Sequence, residues 1–188
     1  MDIQKIKQAK TKYIGKEIEY YKEIGSTHTY AKSIANGENQ NGKLIIAEVQ
    51  TEGIGTKGRI WHTGENKNIA MTIILKPNCK LNRFKNLSID IAKLMQKTIK
   101  NLYNIELSIK EPNDLMLNKK KICGILTEVS TTGENINYLL ISLGFNVNED
   151  FFPEDINNIA TSLKLEFNKG FEREEIIKKY IENLEEYL

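Results

Sequence analysis

The sequence has little of what secreted, membrane-spanning or metal-binding proteins need. Its 188 residues include only two cysteines, Cys79 and Cys123, and their spacing fits no metal or redox motif. No apolar run approaches the length of a membrane span, and the first ten residues lack the apolar centre of a signal peptide. We therefore expect a protein of the cytoplasm with no membrane partner.

An excess of charge of one sign is also missing. The 27 basic and 25 acidic residues leave a formal net charge of only +2. A dedicated nucleic-acid-binding domain usually carries a clear basic excess, so we expect no DNA partner. A chain of this length is expected to form one domain, with a core large enough to fold without disulfides.

Hydrophobic periodicity predicts an α+β domain in which a mixed β-sheet is packed by helices on one side. Strands are predicted at 17–24, 43–50 and 68–76, in 105–114 running into a turn, and in 115–148 as successive strands separated by turns. Helices are predicted at 1–14, 26–37, 82–103 and 172–188, with a short helix or helical turn at 153–163. Ser26 is the expected N-cap of the second helix.

The stretch "QTEGIGTKGRIWHTGENKN", residues 50–68, places glycines and positive charges between two predicted strands. Its glycines permit close backbone approach to a ligand, and Lys57 and Arg59 supply charge for an anion. It is neither a P-loop nor a dinucleotide fingerprint, because no G-K-[ST] follows and the next element is a strand. A plain charged surface loop fits it equally well. Trp61, the only tryptophan, is either a core residue or a plate for a flat ring.

Three further stretches carry candidate functional residues. In "IKEPNDLMLNKKKICGILTE", a turn presents Asn113 and Asp114, and Lys121 abuts an apolar run and Gly124, so its ammonium is expected to point inward. In "SLGFNVN", residues 142–148, a glycine and an asparagine interrupt an apolar strand, which marks either ligand approach or a β-bulge. In "GSTHTYAKSIA", residues 25–35, the hydroxyls are helix caps or ligand contacts, and the sequence offers no metal cluster or serine–histidine–acid set.

The order and spacing of these stretches resemble the catalytic domain of biotin protein ligases over about residues 17–165. The matching motifs are S-T-x-x-x-A-K, A-E-x-Q-T-x-G-x-G-x-x-G-R-x-W, K-x-P-N-D-x-x-x-x-x-x-K-I-x-G-I-L-x-E, G-x-N-V-N and A-T-S-L. The resemblance implies a fold like that of class II aminoacyl-tRNA synthetases. It also implies attack of biotin's carboxylate on the α-phosphate of ATP, with Mg²⁺ on the phosphates, to give biotinyl-5′-AMP and pyrophosphate. A lysine on a biotin carboxyl carrier domain, as in acetyl-CoA carboxylase, then receives the biotin.

The resemblance also assigns residues by position. Lys121 would bridge the biotin carboxylate and the α-phosphate, and Asp114 would hold or deprotonate the carrier lysine. Catalytic roles fall on Lys121, Asp114 and Arg59. Biotin contacts fall on Ser26, Thr27, His28, Gln50, Gly53, Lys121, Gly124 and Leu126. ATP or adenylate contacts fall on Gly55, Lys57, Gly58, Arg59, Trp61, Asn113 and Asn146. The glycine loop would close over the intermediate and exclude water.

The sequence departs from the family pattern at four positions. The usual G-R-G-R-x-x-R-x-W loop has Ile54 and Thr56 in place of its first two arginines. The second of these arginines normally retains the adenylate, and we expect Lys57 or Arg59 to take over part of that role. Glu111 replaces a tryptophan and His28 replaces an asparagine.

Other functions stay open at this point. A lipoate or octanoate ligase or transferase shares the fold, but its R-R-x-x-G-G-G pattern is missing. A cysteine-based acyl transferase would need Cys123 or Cys79 as nucleophile. A degenerate paralogue would bind biotin without efficient turnover. We expect one catalytic domain over 1–188, without a winged helix-turn-helix or a C-terminal β-barrel, and a homodimer is compatible with the sequence.

Overall fold

The computed structural model describes residues 1–61, 64 and 66–188, apart from the Lys57 side chain. The described elements alternate between strands and helices along most of the chain. The strands are β1 Ile18–Ile24, β2 Leu44–Gln50, β3 Ile69–Leu75, β4 Ser108–Lys110, β5 Asp114–Leu117, β6 Lys120–Thr132 and β7 Asn135–Phe145. The α-helices are α1 Ile3–Lys7, α2 Thr27–Ile34, α3 Leu87–Tyr103, α4 Leu163–Phe167 and α5 Arg173–Tyr187. Two 3₁₀ turns lie at Thr56–Gly58 and Leu81–Phe84.

All seven strands belong to one mixed sheet with the order β1-β2-β3-β7-β6-β5-β4. Only the β1–β2 pair is parallel, because α2 crosses over between these two strands. The remaining neighbours are antiparallel, with the long β6–β7 hairpin at the centre. The predicted α+β class with a mixed sheet and packing helices is confirmed.

Helices cover both faces of the sheet, so the expectation that they lie on one side is wrong. Helices α1, α3 and α5 pack on one face, where Ile46, Ile73 and Ile141 are fully buried. Helix α2 packs on the other face, against Ile45 and Ile74. The central strands are apolar at successive positions, which is the pattern of a strand buried on both faces.

Three predicted elements differ from the structure at their boundaries. The first helix ends at Lys7 and does not continue to residue 14, where carboxylates of α5 take the backbone N–H groups: Glu182 accepts from Lys10 at 2.9 Å, and Glu185 accepts from Tyr13 and Ile14 at 3.0 and 2.9 Å. The segment 105–114 contributes only the short β4 before its turn. Residues 153–160 form helical turns, as predicted, but α4 beyond them was missed.

Candidate active site

A pocket of about 250 Å³ opens on the sheet face that carries α2. Alternating residues of the central hairpin form its floor, since Gly124 and Leu126 on β6 and Ser142 and Gly144 on β7 point to this face. The remaining walls come from the start of α2, the end of β2, the glycine loop and residues 152–160. Most predicted site residues line it: Ser26, Thr27, His28, Gln50, Gly55, Arg59, Trp61, Asn113, Lys121, Gly124, Leu126 and Asn146.

The N-terminus of α2 supplies one polar wall of the pocket. Ser26 is the N-cap, as predicted, and its hydroxyl accepts the backbone N–H of Thr29 at 3.4 Å. The backbone N–H and the hydroxyl of Thr27 both donate to Gln50 Oε1, at 2.8 and 2.9 Å. This pairing joins the start of the helix to the end of β2 and fixes the orientation of the Gln50 amide.

His28 lies behind this wall and is only 6% exposed. Its Nδ1 is 2.8 Å from the Ser142 hydroxyl, and its Nε2 is 3.2 Å from the carboxylate of Glu128 on β6. Burial lowers the pKa of His28, and the hydrogen bond to Glu128 opposes that shift without cancelling it. Burial raises the pKa of Glu128, but its bonds to Lys32 and His28 outweigh burial and hold that pKa below its ordinary value.

Lys121 enters the pocket from β6, as the sequence predicted. Its backbone N–H donates to Ile159 O at 2.7 Å, and its carbonyl accepts the N–H of Thr161 at 2.9 Å. These bonds tie the strand to the segment that closes the pocket. The Lys121 ammonium lies 2.7 Å from an Asp114 carboxylate oxygen, and the lysine side chain is 28% exposed. A cation is therefore held in place, yet remains reachable by an anion in the pocket.

Trp61 lies across the pocket floor. A β-carbon on Gly144 would be 2.2 Å from the indole, and one on Gly124 would be 2.8 Å from it. Both glycines are therefore required for the ring to lie flat against the sheet. The Lys121 ammonium is 5.3 Å from the centre of the indole, within cation–π range. Trp61 thus belongs to the pocket rather than to either buried cluster.

The glycine loop folds as a small hairpin over the pocket. The N–H of Trp61 donates to Gly53 O at 2.8 Å, and the N–H of Gly55 donates to Arg59 O at 2.7 Å. The 3₁₀ turn between them ends at Gly58, whose φ of +72° favours glycine. Arg59 folds back on this turn, with its guanidinium 2.8 Å from the Thr56 hydroxyl. Gly53 and Gly58 shape the loop without lining the pocket, and the Lys57 side chain lies outside the described part.

The two predicted asparagines support the site through backbone contacts. The Asn113 amide donates to Ile125 O at 2.6 Å, and the Asn146 amide donates to Thr161 O at 3.1 Å. Each of them is over nine-tenths buried and lines the pocket. Asp114 stays behind Lys121 as its ion-pair partner and does not line the pocket itself.

Sequence reasoning missed several residues of the pocket. Ser142 lies two residues before Gly144 on β7, so strand alternation alone could have placed its hydroxyl on the same face as that glycine. Glu128 does not line the pocket but supports it through His28, and only the fold brings these two residues together. The apolar residues of the far wall were also missed, since they follow the irregular segment after β7: Phe152, Ile156, Ile159 and Ala160.

Other chemistries find little support in the described residues. Burial raises the pKa of the Cys123 thiol well above its ordinary value, which keeps it protonated and unreactive. Within residues 1–61, 64 and 66–188, no three His, Cys, Asp or Glu side chains are grouped as metal ligands. None of the helices in that part of the chain is long and apolar enough to cross a membrane.

Comparison with known proteins decides the family. Residues 20–146 match the model of the biotin/lipoate A/B protein ligase family. The chain belongs to that family. Family members with similar sequences include the bifunctional ligase/repressor BirA of Bacillus spizizenii, 34% identical over 171 residues that cover 90% of this chain and 53% of the relative. The biotin–[acetyl-CoA-carboxylase] ligase of Paracoccus denitrificans is 30% identical over 65% of this chain and 51% of the relative.

Family members of known structure share the fold. The biotin protein ligase from Aquifex aeolicus in complex with biotin and ATP superposes with a TM-score of 0.75 and 27% identity, over 92% of this chain and 72% of that one. The predicted resemblance to biotin protein ligase catalytic domains is therefore confirmed. This chain spans about half the length of the curated relatives it matches.

Proposed function

We propose that this protein is a biotin–[acetyl-CoA-carboxylase] ligase, which activates biotin with ATP to biotinyl-5′-AMP and transfers the biotin to a carrier lysine. One observation carries the proposal. The Lys121 ammonium is fixed inside a pocket whose polar wall suits a cyclic urea and whose mouth is covered by a glycine loop. Biotin has a cyclic urea at one end and a carboxylate at the other, so it would span from Thr27 and Gln50 to Lys121.

The first step brings two anions together, the biotin carboxylate and the α-phosphate of ATP. Lys121 would lie between them and offset the repulsion that opposes carboxylate attack. Its ion pair with Asp114 holds the Lys121 side chain in place at the pocket wall. Adenine would stack on Trp61, and Arg59 at the mouth would contact the phosphates. Mg²⁺ would accompany ATP and offset charge on the departing pyrophosphate.

The second step needs a neutral amine next to the mixed anhydride. When Lys121 shifts toward the adenylate phosphate, its hold on the Asp114 carboxylate weakens. Asp114 would then bind the ammonium of the incoming carrier lysine and accept its proton. The neutral amine would attack the biotinyl carbonyl carbon, forming the amide bond as the bond to phosphate breaks and AMP leaves. The carrier proposed is the biotin carboxyl carrier domain of acetyl-CoA carboxylase, because two of the relatives are named for that substrate.

The glycine loop would protect the intermediate from hydrolysis. Ile54 and Ile60 of the loop line the same pocket as Phe152, Ile156 and Ile159 of the far wall, so both walls contribute apolar side chains. A loop that opens to admit substrates and then closes on these side chains would exclude water from the anhydride. Ile54, which replaces the first of the family's two missing loop arginines, would thus give the closed loop an apolar contact in place of a charged one.

The test of this proposal is ATP–pyrophosphate exchange driven by biotin, lipoate or octanoate. We expect exchange with biotin only, because the polar wall offers hydrogen bonds that a dithiolane or a methyl end cannot use. Lys121→Ala should abolish the exchange. The matched control is Lys119→Asn, since Lys119 lies in the turn before β6 and asparagine tolerates its left-handed backbone. Exchange with lipoate alone would replace this proposal by a lipoate ligase, and biotin binding without exchange would indicate a binder.

A further inference from the structure

A continuous chain of hydrogen bonds runs along the polar wall of the pocket. It starts at the Gln50 amide, passes through three hydroxyls, and ends at the His28 imidazole and the Glu128 carboxylate. The successive distances are 2.9 Å for Gln50–Thr27, 3.0 Å for Thr27–Thr72, 2.8 Å for Thr72–Ser142, 2.8 Å for Ser142–His28 and 3.2 Å for His28–Glu128. Thr72 is fully buried beneath the wall, whereas the Thr27 and Ser142 hydroxyls belong to residues that line the pocket.

The groups at the two ends of this hydrogen-bond chain can only accept hydrogen bonds. Gln50 Oε1 already accepts the backbone N–H of Thr27 at 2.8 Å, which fixes the amide with its oxygen toward the chain. Glu128 pairs with the Lys32 ammonium at 3.0 Å, and its lowered pKa keeps it a carboxylate at neutral pH. Every proton in the chain must therefore come from the groups between these ends.

A count of protons shows that the hydrogen-bond chain lacks one proton when His28 is neutral. Its five contacts need five protons. The three hydroxyls supply one each and a neutral imidazole supplies one, which makes four. The second imidazole proton completes the set, because Nδ1–H then donates to Ser142 and Nε2–H to Glu128. Each hydroxyl in turn donates toward Gln50, so no O–H is left to point into the pocket.

The empty pocket and the filled pocket place different demands on this chain. Burial lowers the pKa of His28, and solvent in an open pocket can donate a hydrogen bond to a hydroxyl oxygen whose contact lacks a proton. A cyclic urea displaces that solvent and brings two N–H donors, which need oxygen lone pairs on the wall. The charged groups that face His28 are Glu128 on β6 and Lys32 on α2. Strands β2, β3 and β7 present uncharged groups to the hydrogen-bond chain. Tyr138 on β7 contributes to the raised pKa of Lys32.

We propose that His28 is a positioning residue whose second proton fixes the direction of the hydroxyl chain, so that biotin binding takes up a proton at His28. This inference rests on the proposed function, since it takes biotin as the ligand. The bound state raises the affinity of His28 for its proton. The gain in biotin affinity is therefore complete below the pKa of the free protein and is lost as pH rises through the pKa of the complex. Between these values the affinity changes by up to about tenfold per pH unit.

The control of His28 by the hydrogen-bond chain is tested first without any ligand, by NMR titration of His28 in wild type, Thr72→Val and Thr72→Ser. His28→Asn identifies the His28 signal against that of His62. Thr72→Val removes one proton and two contacts, so three contacts remain for the three protons of Thr27, Ser142 and neutral His28. Its His28 midpoint should move to lower pH, whereas Thr72→Ser should keep the wild-type midpoint. Equal midpoints in wild type and Thr72→Val would overturn the proposal, because Thr72 is uncharged and does not touch the imidazole.

The link to biotin is tested by calorimetry at pH 7 in two buffers of different ionisation enthalpy. Wild type should take up a fraction of one proton per biotin bound, and Thr72→Val should bind biotin with no uptake. Biotin binding without proton uptake by wild type would overturn this inference and leave the proposed function intact. No binding of biotin at any pH would count against the proposed function, while the NMR comparison would still decide whether the chain controls His28.

Discussion

At the scale of single residues, Trp61 offers a direct view of the pocket because it is the only tryptophan. Its indole lies against Gly144, where an added β-carbon would be 2.2 Å away. We predict that Gly144→Ala pushes the indole off the sheet and shifts its fluorescence emission to longer wavelength, as the ring meets more water. Biotin plus ATP should also change the emission of wild type, since both would contact the same surface.

The matched control for this prediction is Gly170→Ala. Its added β-carbon would have only an ordinary contact with Asn148, at 3.9 Å, and its backbone is not left-handed. The emission of this variant should equal that of wild type. An unchanged emission in Gly144→Ala, with the fold retained by circular dichroism, would show that the indole does not lie on the glycine floor.

Retention of the adenylate is expected to depend on Arg59. We predict that Arg59→Ala increases biotin labelling of bystander proteins about tenfold, because one charged hydrogen bond to phosphate is worth about 1.5 kcal/mol. Thr56→Arg restores the family residue at the adjacent turn and should reduce that labelling. Labelling is measured on an added protein without a carrier domain, with Lys22→Ala as a surface control. If Arg59→Ala labels bystanders no more than wild type, Arg59 does not retain the intermediate.

The inward direction of Lys121 could be predicted from the sequence, since the residue adjoins an apolar run and a glycine in a strand. The partnership of His28 with Ser142 and Glu128 could not, because these residues are 114 and 100 positions apart and meet only through the sheet. Local features such as the Ser26 cap could also be predicted from the sequence. Contacts that depend on the register of β6 on β7 could not be predicted.

At the scale of elements, α5 packs against the core with two tyrosines that differ in the hydrogen bonding of their hydroxyl groups. The Tyr180 hydroxyl is fully buried, with no hydrogen-bond partner in the described part of the chain. The Tyr187 hydroxyl donates to Asp90 on α3 at 3.0 Å. We predict that Tyr180→Phe raises the free energy of unfolding by about 1 kcal/mol, whereas Tyr187→Phe lowers it by about 1 kcal/mol.

Urea denaturation of both variants checks this pair. The two substitutions remove the same atom from the same helix, so a difference in sign isolates the hydrogen bond. A loss of stability in Tyr180→Phe as large as that in Tyr187→Phe would mean that the Tyr180 hydroxyl has a partner, for example a buried solvent molecule.

The boundaries of elements were the least predictable feature at this scale. Periodicity located α3 and α5 well, because their apolar faces repeat every three to four residues. It overextended the first helix, where Glu185 competes for the backbone N–H groups of residues 13 and 14. It also placed all helices on one face of the sheet. The number of helical layers that cover a sheet cannot be predicted from strands that are apolar at every position.

At the scale of the whole molecule, a buried ion pair joins the sheet to the last helix. Arg173 on α5 contacts the Glu48 carboxylate on β2 at 2.6 Å, and both side chains are over nine-tenths buried. Without Arg173 the buried Glu48 carboxylate keeps only the terminal amine and Tyr20 as partners, so Arg173→Ala should lower the free energy of unfolding by about 3 kcal/mol. The exposed Lys5–Glu172 pair is the control, and Lys5→Ala should leave stability unchanged.

This pair also sets a pH dependence. Burial raises the pKa of Glu48, but hydrogen bonds from Arg173, the terminal amine and Tyr20 outweigh burial and lower it overall. Its stabilising contribution is therefore present above the unfolded-state pKa of about 4.3 and is lost as pH falls through the lower folded-state pKa. Below pH 4, the thermal unfolding temperature of wild type should fall more steeply with decreasing pH than that of Arg173→Ala. Equal slopes would show that Glu48 is not the titrating group.

The most direct test of the whole account is a single-turnover reaction with biotin, ATP and a carrier domain, quenched and analysed by mass spectrometry. Wild type should form biotinyl-5′-AMP first and then biotinyl-lysine on the carrier, and Lys121→Ala should form neither. Asp114→Asn should accumulate the adenylate and transfer it slowly. Adenylate formation that survives Lys121→Ala would contradict the claim that this lysine joins the two anions in the pocket.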